Sequence, residues 1–147
     1  MLKDIIDRRV VSVEPDTKVI DVARKMSEEN VGSVLVCVDN HCKGIVTDRD
    51  IVVRCIAQNV DVNDCTIEQI LSEPIESAKE TDGIYDCIRK MKSQEVRRMP
   101  VVDEKGEVVG LVSFDDLIVM LAKEINELAE AATPFSQAAK ASRLRAA

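Results

Sequence analysis

Aromatic side chains are almost missing from this sequence, which has two Phe, one Tyr and no Trp. Stacking platforms for single-stranded nucleic acid need aromatic faces, so that mode of binding is excluded. The core must instead be aliphatic. Positive charge is in deficit, with 20 Lys and Arg against 27 Asp and Glu and a net charge of −7. Such a chain repels a phosphate backbone, and general nucleic-acid binding is not expected. No apolar run reaches the roughly 18 residues needed to span a bilayer. The opening "MLKDIIDRRVV" is too charged for a secretory signal. The five cysteines (Cys37, Cys42, Cys55, Cys65 and Cys87) are odd in number and form no CxxC pair. They read as free thiols, and the expected location is a reducing cytoplasm. Histidine occurs once, as His41. There is no nucleophile elbow, Walker loop or dinucleotide fingerprint. An enzyme is therefore not expected. Cys37, His41 and Cys42 cluster at one turn, but a structural zinc site takes four ligands and no fourth is close, so no metal site is expected.

What is present is a unit written twice. "VIDVARKM" (Val19 to Met26) matches "IYDCIRKM" (Ile84 to Met91), each position 65 residues on. Ser12, Val31 and Val36 fall on Ser77, Val96 and Val101 at the same offset. After the next turn the offset becomes 66, and Gly44, Val46 and Asp50 fall on Gly110, Val112 and Asp116. One residue inserted in a hairpin loop accounts for the change, since loops absorb insertions. Even the lead-in repeats, because Met1 to Ile6 align with Thr66 to Leu71.

Each unit predicts the order β-α-β-β-α. An extended piece comes first (Val10 to Val13, Ile75 to Ala78). A helix follows, capped by Asp16 or Thr17 in the first copy and Thr81 or Asp82 in the second. Its buried stripe is Val19, Val22, Ala23 and Met26, or Ile84, Cys87, Ile88 and Met91, at spacings of three and four. A hairpin comes next, "SVLVCV" to "GIVT" and "MPVV" to "VVGLVS". The closing helix runs from Asp48 to about Asn59, and from Phe114 to about Ala132, where Pro134 stops it. A unit of about 65 residues is small for its own core. The expectation is therefore an α+β fold in which two pseudo-symmetric repeats pack sheet to sheet as one module. The boundaries are residues 1–62 for the first repeat, 63–125 for the second, and 126–147 for a helical extension and tail.

The stretch with chemical content is "GIVTDRDI" (Gly44 to Ile51) and its echo "GLVSFDDL" (Gly110 to Leu117). Thr47 and Ser113 are good helix N-caps, worth about 1 kcal/mol each. A capping box prefers Glu or Gln at the third position, because the side chain must reach back to the cap's own N–H. Here the acid is the shorter Asp, which is expected to turn away from the helix and accept two hydroxyl hydrogens. A hydroxyl with exposed N–H groups at a helix N-terminus suits a phosphate beside those hydroxyls. Gly44 and Gly110 mark places of close approach by backbone or ligand.

Gly-h-h-[Ser/Thr]-x-x-Asp-h after this β-α-β-β pattern resembles the CBS (cystathionine β-synthase) domain, and two in tandem resemble a CBS pair, or Bateman module. "RRMPVVDEKGEVVGLVSFDDL" is similar to that family's second-repeat stretch and "GSVLVCVDNHCKGIVTDRDI" to its first. The resemblance covers about residues 1–125. It implies a disc, usually dimeric, with two clefts that in many members bind AMP, ADP, ATP or S-adenosylmethionine as regulatory ligand rather than cofactor. Carried over, it implies Asp50 and Thr47 in one cleft and Asp116 and Ser113 in the other, with each Asp on ribose hydroxyls. It places Arg98, Met99 and Pro100 on the adenine side, with Arg97, Arg98 and Arg49 as phosphate ligands. The double arginine is expected beside the second motif, because the first repeat has Gly32-Ser33 there, which leaves the first cleft poorer in positive charge. The expected function is a sensor that passes ligand occupancy to a protein partner. The competing expectation is a ligand-free dimerisation or docking scaffold.

Overall fold

A computed structural model describes residues 1–72 and 75–146. Glu73 and Pro74, at the end of the segment from Gln58 that joins the two repeats, and Ala147, which ends the tail, lie outside the described residues. Two three-stranded sheets form the centre. The first holds β1 (Ser12–Val13), β2 (Ser33–Val38) and β3 (His41–Thr47), and the second β4 (Ala78–Lys79), β5 (Arg98–Val102) and β6 (Val108–Ser113). In each, the short first strand runs parallel to the middle one and the last two form an antiparallel hairpin. The extended pieces are thus shorter than expected and sit at Ser12–Val13 and Ala78–Lys79. The first hairpin turns on Asp39 and Asn40, both with left-handed φ, and the second on Gly106 at φ +81°. The sheets face one another through Leu35, Cys37, Ile45, Val102 and Val108, an aliphatic contact consistent with the near absence of aromatics.

Helices α1 (Val19–Glu29) and α3 (Ile84–Gln94) cover the outer faces of the sheets. Val19 and Val22 of α1 and Cys87 of α3 are fully buried, and each large apolar side chain so placed contributes about 1.5–3 kcal/mol. The caps differ from expectation. Lys18 and Gly83 occupy the N-cap positions and neither makes a side-chain cap. The first N–H groups of α1 are satisfied by backbone instead, Val19 N–H donating to Cys65 O at 3.0 Å and Ile20 N–H to Val62 O at 3.1 Å. Folding the joining segment back over the helix end makes a side-chain cap unnecessary.

That segment also shows that sequence repeat and packed core do not coincide. Ile67 and Ile70, from the turn that begins the second repeat, are buried in the first core with Val19, Val22 and Val46. Leu2, from the turn that begins the first, is buried in the second core with Cys87, Met99 and Val112. The lead-in turns have exchanged cores, so neither half closes its core without the other.

The crossing also explains two glycines. A Cβ on Gly44 would stand 2.6 Å from both Leu71 Cδ1 and the Ser72 carbonyl oxygen. A Cβ on Gly110 would stand 2.9 Å from Ile6 Cδ1 and 3.0 Å from the Asp7 carbonyl oxygen. The close approach is made by the exchanged segments, which bridge to β3 at Ile45–Ser72 and to β6 at Asp7–Leu111.

The closing helices differ between the repeats. In the first, α2 comprises one α-turn (Asp48–Asp50), a π-helical stretch (Ile51–Cys55) and a 3-10 turn (Ile56–Gln58), ending on left-handed Asn59. In the second, α4 is one helix, Phe114–Ala146, with Pro134 inside it. The expected stop near Ala132 is therefore wrong. Pro134 removes one N–H, but α4 is solvent-exposed there and its Ala-rich flanks are strong helix formers. After Leu117, α4 leaves the body and exposes Ile118, Leu121, Ile125 and Leu128. No helix among the described residues is long and apolar enough to cross a membrane.

Candidate functional site

Both motifs form complete capping boxes. Asp50 N–H donates to Thr47 Oγ1 at 3.2 Å while Thr47 N–H donates to Asp50 Oδ2 at 2.9 Å. In the second copy Asp116 N–H donates to Ser113 Oγ at 3.1 Å, and Ser113 N–H and Oγ–H reach Asp116 Oδ2 at 2.9 and 2.6 Å. The expectation that the short Asp turns away is corrected, because one carboxylate oxygen does reach back. The other oxygen remains. Asp50 Oδ1 lies 3.6 Å from Arg54 Nη2, and the Asp50 side chain is only 18% exposed.

Arg54 sits one turn after Asp50, and its guanidinium spans two segments. It donates to the Ile70 carbonyl at 3.0 Å and to Ser72 Oγ at 2.8 Å. It thereby ties the motif helix to the exchanged segment. Neither Arg54 nor Ser72 stands out in the sequence. The signal that finds them is spacing, since i and i+4 share a helix face and Ser72 follows the buried Ile67 and Ile70.

The structure gathers a different set of residues from the one expected. A cavity of about 420 Å³ is lined by Ile45, Thr47, Asp48, Arg49 and Asp50 from the first repeat, Ser72 between the repeats, and Glu95, Val96, Arg97 and Arg98 from the second, so three arginines share it with three acids. Arg97 and Arg98 therefore share a cleft with Thr47 and Asp50, not with Ser113 and Asp116. Arg98 is the strand partner of Ser113, so the two are neighbours in backbone. The lead into β5 nevertheless opens toward the first motif across the module. Arg97 stands at the rim, 73% exposed, paired with Asp115 at 3.1 Å and lying 5.6 Å over the Phe114 ring.

Pseudo-symmetry places a second cleft at Asp7, Arg9, Val11, Val31, Ser33 and Leu111, and its volume is only about 60 Å³. Ser113 and Asp116 do not line it. Asp116 instead borders an open hollow with Asp4, Ile5 and Lys123. Met99 is fully buried in the second core and Pro100 is buried in β5, and neither lines the cavity. A larger groove along α3, about 490 Å³, is lined by charged groups that already pair with one another, Arg89 with Asp86 and Lys90 with Asp82.

Chemically, the first cleft can take an anion bearing hydroxyls. Thr47 Oγ1 keeps its own hydrogen to donate. Asp50 Oδ1 can accept. Arg49, Arg97 and Arg98 offer guanidinium forks suited to phosphate or carboxylate. At about 420 Å³ it falls in the range of small-molecule sites, roughly 300–1,000 Å³.

Comparison with known proteins agrees with this architecture. The chain is 27% identical over 116 residues to the uncharacterised protein MK0525 of Methanopyrus kandleri, covering 78% of this chain and 59% of that one. It is 31% identical over 118 residues to the CBS domain-containing protein YhcV of Bacillus subtilis, covering 80% and 83%. Among solved structures, Hypoxic Response Protein I with two coordinated zinc ions superposes at TM-score 0.72 and 29% identity, covering 80% of this chain and 95% of that one. The CBS domain pair of MJ0100 with 5′-methylthioadenosine and S-adenosyl-L-methionine superposes at 0.74 and 24% identity, covering 84% and 97%. PAE2072 of Pyrobaculum aerophilum with AMP superposes at 0.72 and 24% identity, covering 83% and 98%. The profile described as CBS domain matches residues 2–56 and again residues 67–123, and the chain belongs to the CBS domain family as a tandem pair.

Proposed function

We propose that this CBS pair is a non-enzymatic cytoplasmic sensor that binds an adenosine-containing ligand (AMP, ADP, ATP or S-adenosylmethionine) in the first cleft and passes occupancy to a partner protein. The observation that carries the reading is the convergence of Thr47, Asp50, Arg49, Arg97 and Arg98 on one cavity of about 420 Å³. Asp50 accepts the ribose hydroxyls through Oδ1, and Arg54 holds the carboxylate in place from behind. Thr47 and the arginines take the phosphate. The same fold holds AMP in PAE2072 and S-adenosylmethionine in MJ0100, which supports the class of ligand.

Because the cleft draws on both repeats, a ligand there bridges them. It biases their relative arrangement only as far as its affinity differs between arrangements. Arg97 gives that difference a physical handle, since engaging phosphate competes with its exposed pair to Asp115. We further propose a homodimer. Ile118, Leu121, Ile125 and Leu128 are exposed on α4 at three-four-three spacing. Ile and Leu alternating in that way favour two-stranded helix pairing. The same seam favours the competing reading, a scaffold without ligand.

Calorimetry with AMP, ATP and S-adenosylmethionine separates the two readings. The sensor reading predicts saturable binding of at least one. Absence of binding by all three at about millimolar concentration, a free energy near −4 kcal/mol, leaves only the scaffold. Sedimentation of Leu128→Glu beside the native chain tests the dimer, which the charge should split.

A further inference from the structure

The structure resolves four of the five thiols into two facing pairs. Cys55 and Cys65 meet inside the first core, 0% and 4% exposed. Cys37 and Cys42 meet across the first hairpin, where they are directly opposed partners on β2 and β3. This second pair is the more accessible. Cys42 is half-buried and lies next to the exposed turn at Asp39 and Asn40.

We propose that Cys37 and Cys42 form an oxidisable dithiol, a site of reversible cross-strand disulfide formation. Opposed residues of an antiparallel pair stand about 4.5–5.5 Å apart at Cα. A disulfide accepts about 4.4–6.8 Å. The pairing register therefore puts Cys37 and Cys42 within the span that a disulfide bridges.

The surroundings favour a thiolate at Cys37. The facing Cys42 sulfur and the nearby His41 hold Cys37 below the usual thiol range, while Cys42 itself is pushed up. No group of three or more His, Cys, Asp or Glu among the described residues is placed to hold a metal. His41 Nδ1 is engaged with the Asp39 carbonyl at 2.8 Å.

The oxidant is a low-molecular-weight disulfide, RSSR. The Cys37 thiolate attacks one sulfur, forming a mixed disulfide and releasing RS⁻. The Cys42 thiol gives up its proton, attacks Cys37 sulfur and releases the second RS⁻. Both thiolates are protonated, so the dithiol and RSSR become the protein disulfide and two RSH, with two electrons passing from protein to RSSR.

The position gives the bond a consequence. Cys37 packs between the sheets with Leu35, Ile45, Val102 and Val108. The adjoining turn grips the second hairpin, Val108 N–H donating to Asn40 O at 3.0 Å. Oxidation removes the Cys42 thiol bond to the Gly44 carbonyl, now 3.3 Å, and clips the hairpin where the repeats meet.

The test equilibrates the full chain in reduced and oxidised glutathione buffers, traps free thiols with an alkylating agent, and maps the peptides. No nucleotide is needed, so the outcome is independent of the ligand reading. The expected result is loss of two alkylatable thiols and a fall of about 2 Da, the two hydrogens removed, with the link mapped to Cys37–Cys42 and restored by reductant. Cys42→Ser should abolish it and Cys87→Ser should not. Alkylation of Cys37 and Cys42 throughout, or prior linkage of Cys55–Cys65 or between chains, overturns the proposal in the native protein.

Discussion

The two clefts share a backbone frame and differ in almost every charged group. At the first, the motif runs Thr47-Asp48-Arg49-Asp50; at the second, Ser113-Phe114-Asp115-Asp116. Arg49 thus corresponds to an acid. Arg97 and Arg98 correspond to Gly32 and Ser33, Ser72 to Asp7, and Arg54 to Met120. The first cleft is open, with three arginines beside Asp48, Asp50 and Glu95, and the second is nearly filled by Val11, Val31, Leu35 and Leu111. A duplicated fold can keep both capping boxes, worth about 1 kcal/mol each, while only one copy keeps room and charge for an anion. The helix-start role of the motif is therefore separable from the proposed ligand role, for which only the first copy has room.

The comparison breaks most visibly at the glycines. Gly44→Ala places a methyl 2.6 Å from a backbone carbonyl, whereas Gly110→Ala meets its nearest backbone atom at 3.0 Å. Denaturant unfolding should show Gly44→Ala destabilising by about 3 kcal/mol and Gly110→Ala by about 1 kcal/mol, the range for overpacking. Equal losses would mean that the two crossings are equally tight.

Next in size is the arginine asymmetry. Arg98→Ala should weaken AMP binding about tenfold, or about 1.4 kcal/mol, and Lys105→Ala, on the remote second hairpin, should leave it unchanged. Reversing Ser33→Arg should create no second site, because the second cleft holds only about 60 Å³. Calorimetric stoichiometry reads both.

The smallest effect separates α1 from α3. Lys90 pairs with Asp82 at 2.8 Å, while its counterpart Lys25 reaches only the Ser12 carbonyl. The Lys90 ammonium and the Lys79 N–H hold the Asp82 carboxyl below its ordinary range. A depressed carboxyl adds stability that is complete above its unfolded value, about 3.9, and is lost as pH falls through the lower folded value. Acid unfolding should therefore be steeper in the native chain than in Asp82→Asn below about pH 4, with a modest difference because the pair is partly exposed.

The repeat, the hairpins, both capping residues and the sheet-to-sheet packing were legible from local pattern, because apolar spacing and turn residues act within one element. The partner wall of each cleft was not. Leu2 and Ile67 look like matching starts of separate units, yet each fills the other unit's core. Arg98 lies beside Ser113 in register, so sequence adjacency suggested the wrong cleft. The packing of one sheet on the other brings Arg97 and Arg98 into the same cavity as Thr47. Likewise Pro134 reads as a stop, but in α4 it costs one hydrogen bond on a solvated face and the helix continues. Met99 sits in the run that resembles the family's adenine side, but the alternation along β5 turns it into the core.

The central claim is that the first motif and the second repeat's arginines make one anion-binding cleft. Calorimetric titration of AMP into Asp50→Ala and Asp116→Ala, side by side, tests it most directly. The account predicts a single site per chain that Asp50→Ala weakens at least tenfold, about 1.4 kcal/mol, and that Asp116→Ala leaves within about twofold. Loss of binding in Asp116→Ala with retention in Asp50→Ala would contradict it.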